Sequence, residues 1–271
     1  MASSLLRRRS STEGLGLGLK LWVAAVTLLL IAPTLIVIPM SFSASHTFQF
    51  PPEHWSVKWY QNFFTSEEWL SALGVSIKLG LIVAALATVL GIAAAIGLDR
   101  WTFKGIGVIR GLIMAPMIVP GVVVAIAVYS LFLKWQLAGT LTGFVLAHTA
   151  LALPFVVVSV SASLAGYDRR VEAASSSLGA GPLVTFRRVT LPLILPGVGS
   201  GFIFAFITSF DEVVVALFLQ TPDIVTLPVR MYTGIATDID PTVAAASTII
   251  VTVTTIVLVT PQLLRLRRRA T

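Results

Sequence analysis

Six times between residues 19 and 264 the chain runs through an apolar segment of about twenty residues or more. In a helix that length crosses the roughly 30 Å core of a bilayer. The segments fall at about 19–41, 71–98, 107–132, 139–163, 193–219 and 242–264. A soluble fold of 271 residues has no interior large enough for them: 56% of the residues are hydrophobic and 11% charged, against roughly 25% charged in soluble domains. The pattern predicts an all-α integral membrane protein of six transmembrane helices, flanked by a tail at 1–18 and a basic tail at 265–271. The division at 133–138 is the least marked, because LKWQLA is a short turn of low polarity.

Lysine and arginine set the direction, since they accumulate on the cytoplasmic side. Fifteen of the nineteen fall in the N-terminal tail (Arg7, Arg8, Arg9, Lys20), the second loop (Arg100, Lys104, Arg110), the fourth loop (Arg169, Arg170, Arg187, Arg188) and the C-terminal tail (Arg265, Arg267, Arg268, Arg269). Both termini are therefore expected in the cytoplasm. The net charge of +7 sits at the tips of the spans, which reads as membrane orientation and not as nucleic-acid binding. The first span has a basic start and small residues at Ser43-Ala44-Ser45, but its apolar run exceeds the 7–15 residues of a signal peptide; an uncleaved anchor is expected.

Within the spans, Ala87, Gly91 and Ala95 form one stripe of small residues and Gly197, Gly201 and Ala205 another. Such stripes let helix backbones approach closely in lipid. Prolines punctuate four spans, at Pro33 and Pro39, Pro116 and Pro120, Pro154, and Pro192 and Pro196. The APMIVP stretch (115–120) fits either a plain kink or the meeting of a span with a polar path. On the outer side, FPPEHWSVKWYQNFF (50–64) and Trp69 read as a short surface helix with aromatic rings at the interface, which also fits a docking face for a partner.

Charge inside the membrane is scarce. Asp211 lies fifteen residues past Pro196, about 22 Å along a helix, so Asp211 and Glu212 are expected in the outer half of the fifth span. Carboxylates there face a polar cavity or a partner; they would attract a cation, or pair structurally with a neighbouring helix. Neighbours on a helix diverge by about 100°, so only one of them faces a path. Lys78 can extend its stem toward the interface, and His148 reads as a hydrogen-bonded helix contact. Three histidines without paired spacing and no cysteines predict no metal site. The chain has no GxxxxGK[ST] phosphate loop, no HExxH and no GxSxG, so no catalytic residues are expected. A gradient-driven carrier or channel is the alternative from another class.

The segment 164–192 is the longest excursion between spans. Asp168 can cap a short helix through EAASSS, Gly179 fits the position just past its end, and Pro182 suits the first turn of a second helix, PLVTFRRV. Pro192 is expected to open the fifth span. Leu183, Val184 and Phe186 on a helical face suit a docking surface better than a solvated linker.

Glu172-Ala173-Ala174, then Gly179, nine residues, and Val189-Thr190-Leu191-Pro192 resembles the EAA motif of inner-membrane permeases from ABC importers. Gly179, Val189, Leu191 and Pro192 keep the family's spacing. Glu172 lies one residue further from the glycine than the motif glutamate, whose place Ala173 takes. The stretches at 50–64, 146–170, 179–198, SFDEVVVALFL and IDPTVAAASTII are similar to the spermidine/putrescine branch of these permeases. The resemblance implies a MetI-like type I importer permease of a bacterial inner membrane. It also implies four kinds of contact: a homologous permease subunit, two cytoplasmic ATPase subunits, an extracytoplasmic solute-binding protein, and lipid. ATP and Mg would sit on the ATPase, with no cofactor in this chain. The loop that couples to the ATPase would carry Glu172, Ala173, Ala174, Gly179, Phe186, Leu191 and Pro192. The solute would be a polyamine; an amino-acid derivative, an opine-like compound or ferric iron fits the same machinery.

Overall fold

The computed structural model describes residues 16–270, with side chains as far as Ile256. The basic clusters Arg7–Arg9 and the side chains of Arg265 and Arg267–Arg269 lie outside the described residues. In chain order the elements are α1 (Leu17–Ser41), α2 (Lys58–Thr65), α3 (Glu67–Arg100), α4 (Ile106–Ile118), α5 (Gly121–Lys134), α6 (Leu141–Ala165), α7 (Arg170–Ser177), α8 (Pro182–Thr185), a π-turn at Phe186–Thr190, α9 (Leu191–Phe210), α10 (Val214–Leu219), α11 (Leu227–Ala236) and α12 (Thr242–Ala270). Among the described residues, four of the helical runs are long and apolar enough to cross a bilayer, or five if α4 and α5 count as one bent span. The six spans read from the hydropathy are therefore matched in part.

Two of the expected spans are broken. The third bends by 107° between α4 and α5, at the second proline of APMIVP. Val119, forced out of helical geometry by the ring of Pro120, is extended (φ −74°, ψ 133°). The fifth, expected at 193–219, stops at Phe210 and resumes as α10. The third-to-fourth boundary falls in LKWQLA and just beyond it: Gln136 and Gly139 take positive φ and Thr140 caps α6 by accepting the Gly143 N–H at 3.0 Å.

The chain forms two compact units, one of the residues up to Phe63 with those from Thr237 on, the other Phe64–Ala236. In the first, α1 packs on α12, and α2 is tied to the start of α12 by Asn62 Nδ2 donating to Thr242 Oγ1 at 2.8 Å. The segment before α2 is irregular, with an isolated bridge between Ser43 and Trp55.

In the second unit α3, α6 and α9 pack on one another around Leu79, Val83, Val156, Val160 and Ile194, all fully buried. Both small-residue stripes lie in this contact. Val156 of α6 fits between them: a Cβ on Gly91 would stand 2.5 Å from its Cγ1, and one on Gly201 3.2 Å from its Cα. At Gly197 a Cβ would stand 2.6 Å from the carbonyl oxygen of Ser159, an obstacle that cannot rotate away. Gly197→Val is thus expected to force α9 off α6 and to cost about 1–3 kcal/mol, read as a lower melting temperature of the purified protein in detergent. An unchanged melt would mean that the helices separate without penalty. Trp69, expected at an interface, is instead buried, with the Arg230 guanidinium 5.5 Å from its ring centre.

Candidate functional site

The loop between α6 and α9 folds as two short helical limbs across a glycine. Asp168 Oδ1 accepts the Arg170 N–H at 2.9 Å, satisfying a donor at the start of α7. The far end closes as a Schellman motif, with Gly179 N–H bonded to Ser176 O at 3.0 Å and Ala180 N–H to Ser175 O at 3.2 Å. That geometry needs a left-handed residue after the helix, and Gly179 supplies it at φ +85°. Pro182 then opens α8, where its missing N–H costs nothing. Ser175 Oγ meets Thr185 Oγ1 at 3.1 Å and holds the limbs together.

The second limb does not end where the sequence suggested. It passes through the π-turn into α9 without a break, the Leu191 N–H reaching back to Phe186 O. Pro192 has no N–H to give the Arg188 carbonyl, and the chain widens by one residue there instead of stopping.

Glu172 is turned inward. Arg100, at the end of α3, donates from Nη2 to both of its oxygens, at 2.7 and 2.9 Å. The hydroxyls of Tyr167 and Thr190 donate to its Oε1. Beside it Arg169 pairs with Asp99 Oδ1 at 2.6 Å and donates to the Asp99 carbonyl at 3.1 Å. Burial pushes the Glu172 carboxyl up, but the hydrogen bonds from Thr190 and Tyr167 and the charges of Arg100 and Arg169 outweigh it and hold the group below the ordinary carboxylate range. Burial and the neighbouring carboxylate push the Tyr167 phenol up. An ionised Glu172 thus bolts α7 to the end of α3 and to the π-turn.

What faces out is apolar. Ala173, Ala174 and Gly179 are exposed, as are Val171, Leu183, Val184 and, at 89%, Leu178. Arg170, Arg187 and Arg188 are exposed around them, Phe186 and Leu191 are half-buried, and Pro192 is exposed. The loop residues singled out from the sequence therefore divide between an inner bolt and an outer surface. Arg100, Tyr167 and Thr190, the partners of Glu172, carry no periodic signal; Arg100 stood out only as a positive charge beside a span.

The second candidate site is the break after α9. Asp211 ends the helix with φ −93° and ψ 0°, its N–H on Ile207 O at 2.9 Å, and its side chain is exposed. Glu212 is committed locally: its Oε1 accepts the Val215 N–H at 2.8 Å and caps α10. The two carboxylates thus differ: one oxygen of the half-buried Glu212 is taken by the chain's own backbone, while Asp211 is exposed.

Residues 87–269 match the family described as binding-protein-dependent transport system inner membrane component. Over 246 residues the chain is 31% identical to the spermidine/putrescine transport system permease protein PotC of Escherichia coli K12, covering 90% of this chain and 92% of that one. It is 32% identical over 228 residues to the putrescine transport system permease protein PotI of the same organism, covering 82% and 81%. Among solved structures, a chain of a bacterial ABC transporter involved in the import of the acidic polysaccharide alginate superposes with a TM-score of 0.69 at 14% identity, over 91% of this chain and 94% of that one. The continuous helices, the short-helix loop before α9 and these likenesses converge on one assignment: this all-helical, multi-pass membrane chain belongs to the inner membrane components of binding-protein-dependent transport systems.

Proposed function

We propose that the chain is the permease subunit of an ATP-driven importer that carries polyamine cations, spermidine or putrescine, across the inner membrane. The observation that carries the reading is the identity to two permeases named for these solutes, which runs through nearly the whole chain and not through one motif. The exposed carboxylate of Asp211, at a helix break, adds the chemistry a cation requires, since broken helices place polar groups along transport paths.

The remaining parts follow from the same reading. Six spans result when α4–α5 is one bent crossing and α12 is the last; the lysine and arginine distribution then puts both termini in the cytoplasm. The loop at 164–192 faces the cytoplasm, and its apolar face ringed by arginines receives the ATPase, one copy on this chain and one on a homologous permease. The bolt from Glu172 to Arg100 carries a push on α7 into α3. α1 buries only Ser41 and offers its apolar surface to lipid or to the partner permease. ATP and Mg belong to the ATPase subunits, and the binding protein brings solute to the outer face.

Reconstitution tests this. Liposomes holding this chain with its permease partner, ATPase and binding protein are expected to take up spermidine only with ATP, and the chain alone is expected to be inert. Asp211→Asn should lower the rate about tenfold, the loss of one charged hydrogen bond, while Glu212→Gln, which keeps an oxygen for the Val215 N–H, should change it less than threefold. Uptake by the chain alone identifies a gradient-driven carrier; equal kinetics in wild type and Asp211→Asn remove the carboxylate from the path.

A further inference from the structure

We infer that His148 is a positioning residue for Asp211, acting through Ser209. His148 lies in α6, and both it and Ser209 are buried, with 0% and 3% of their surface exposed. The His148 Nδ1 and Ser209 Oγ are 3.0 Å apart, a hydrogen bond between α6 and the last turn of α9. Phe144, one turn earlier on α6, packs against the imidazole with ring centres 5.9 Å apart. Nε2 has no partner among the described residues. An imidazole buried with one nitrogen unpartnered is a poor choice for packing alone, where phenylalanine or leucine would fill the space without a desolvation cost.

The geometry shows what the imidazole accomplishes. Ser209 and Asp211 are two residues apart, and two residues turn a helix by about 200°. With Ser209 held against α6, Asp211 must lie on the opposite side, where it is exposed. The helix ends at Phe210 and α10 begins only at Val214, so at Asp211 the direction of the side chain is set by the last turn of α9, through the Asp211 N–H bond to Ile207 O, before the chain is taken up by the Glu212 cap of α10. Releasing Ser209 lets the last turn unwind or rotate, and Asp211 loses its fixed direction. The inference deepens the reading of Asp211 as the carboxylate that meets the cation, and rests on it for its consequence in transport but not for its geometry.

The chain contains no cysteine, so Asp211→Cys gives it a single thiol. In the full-length chain purified in detergent, where both faces are open to the reagent, the rate at which that thiol forms a mixed disulfide with a small cationic methanethiosulfonate is to be compared across four backgrounds: unaltered, His148→Phe, Ser209→Ala and His148→Asn. His148→Phe and Ser209→Ala are expected to change the rate about five- to tenfold, the effect of one buried hydrogen bond. His148→Asn, whose amide can still meet Ser209, should stay within about twofold of the unaltered background. A Leu178→Cys thiol on the exposed loop serves as the reference and should react equally in all four. Unchanged labelling at position 211, failure of asparagine to rescue, or an equal change at position 178 overturns the inference. The labelling reads the direction of position 211 whatever the solute, so a failure here is distinct from a failure of Asp211→Asn to affect spermidine uptake.

Discussion

Gly179→Ala and Gly179→Leu are both expected to lower solute uptake per ATP hydrolysed about tenfold, with the amount of protein in the membrane unchanged. The size follows from the backbone. Gly179 sits at φ +85°, where an L-residue with a Cβ pays about 1–2 kcal/mol, and 1.4 kcal/mol is about tenfold in an equilibrium. A Cβ at Gly179 would meet nothing within 4 Å, so bulk inside this chain is not the obstacle. Without the left-handed turn the Schellman bonds of Gly179 and Ala180 are lost, α7 frays, and the two limbs no longer present one surface. Alanine and leucine should therefore be alike, and Gly179→Asn, whose side chain tolerates this region, should keep most of the activity. The measurement is uptake and ATP hydrolysis in the same proteoliposomes. A mild alanine and a severe leucine would place the effect in a contact with the ATPase instead of in the backbone. Normal transport by Gly179→Leu would sink the loop's role altogether.

Much of this architecture was legible in the sequence because lipid enforces simple rules. A helix must be about twenty apolar residues long to span, and Leu17–Ser41 and Leu141–Ala165 obey within two residues of the expected bounds. Ala87, Gly91, Ala95, Gly197, Gly201 and Ala205 are all buried, since only small side chains permit that approach. Asp168, Gly179 and Pro182 each occupy the position their local chemistry demands. Hydropathy missed what breaks a span without making it polar: Val119-Pro120 is apolar, yet the ring of Pro120 turns the chain by 107°. It also ran past Phe210, because Val213 to Leu219 is as apolar as a span although Asp211 and Glu212 end the helix before it. The direction of Glu172 was beyond reach, since Arg100 and Thr190 are brought to it by packing across 72 and 18 residues of chain.

Glu172→Ala is expected to speed hydrogen exchange of the 170–178 amides about thirtyfold at neutral pH, equivalent to about 2 kcal/mol of local stability. Most of this comes from the hydroxyl bonds of Tyr167 and Thr190 to a charged acceptor, each about 1.5 kcal/mol or more before solvent exposure is discounted. The Arg100 pair adds little by itself, since that guanidinium is 44% exposed and exposed ion pairs contribute under about 1 kcal/mol. Arg100→Ala alone should accordingly have a smaller effect than Glu172→Ala, and on top of Glu172→Ala it should add almost nothing, because its partner is already gone. The sign with pH follows from the depressed carboxyl. A group with a lower pKa when folded contributes fully above its unfolded value, and the contribution disappears as pH falls through the folded value. The difference between wild type and Glu172→Ala should therefore be flat from about pH 5 to 8 and close below about pH 4. Equal exchange in the two proteins at neutral pH would mean that α7 is held by its own caps and by the Arg169–Asp99 pair. In that case a push on α7 would reach α3 through Arg169, and Asp99→Asn, not Glu172→Ala, would be the substitution that separates ATP hydrolysis from uptake.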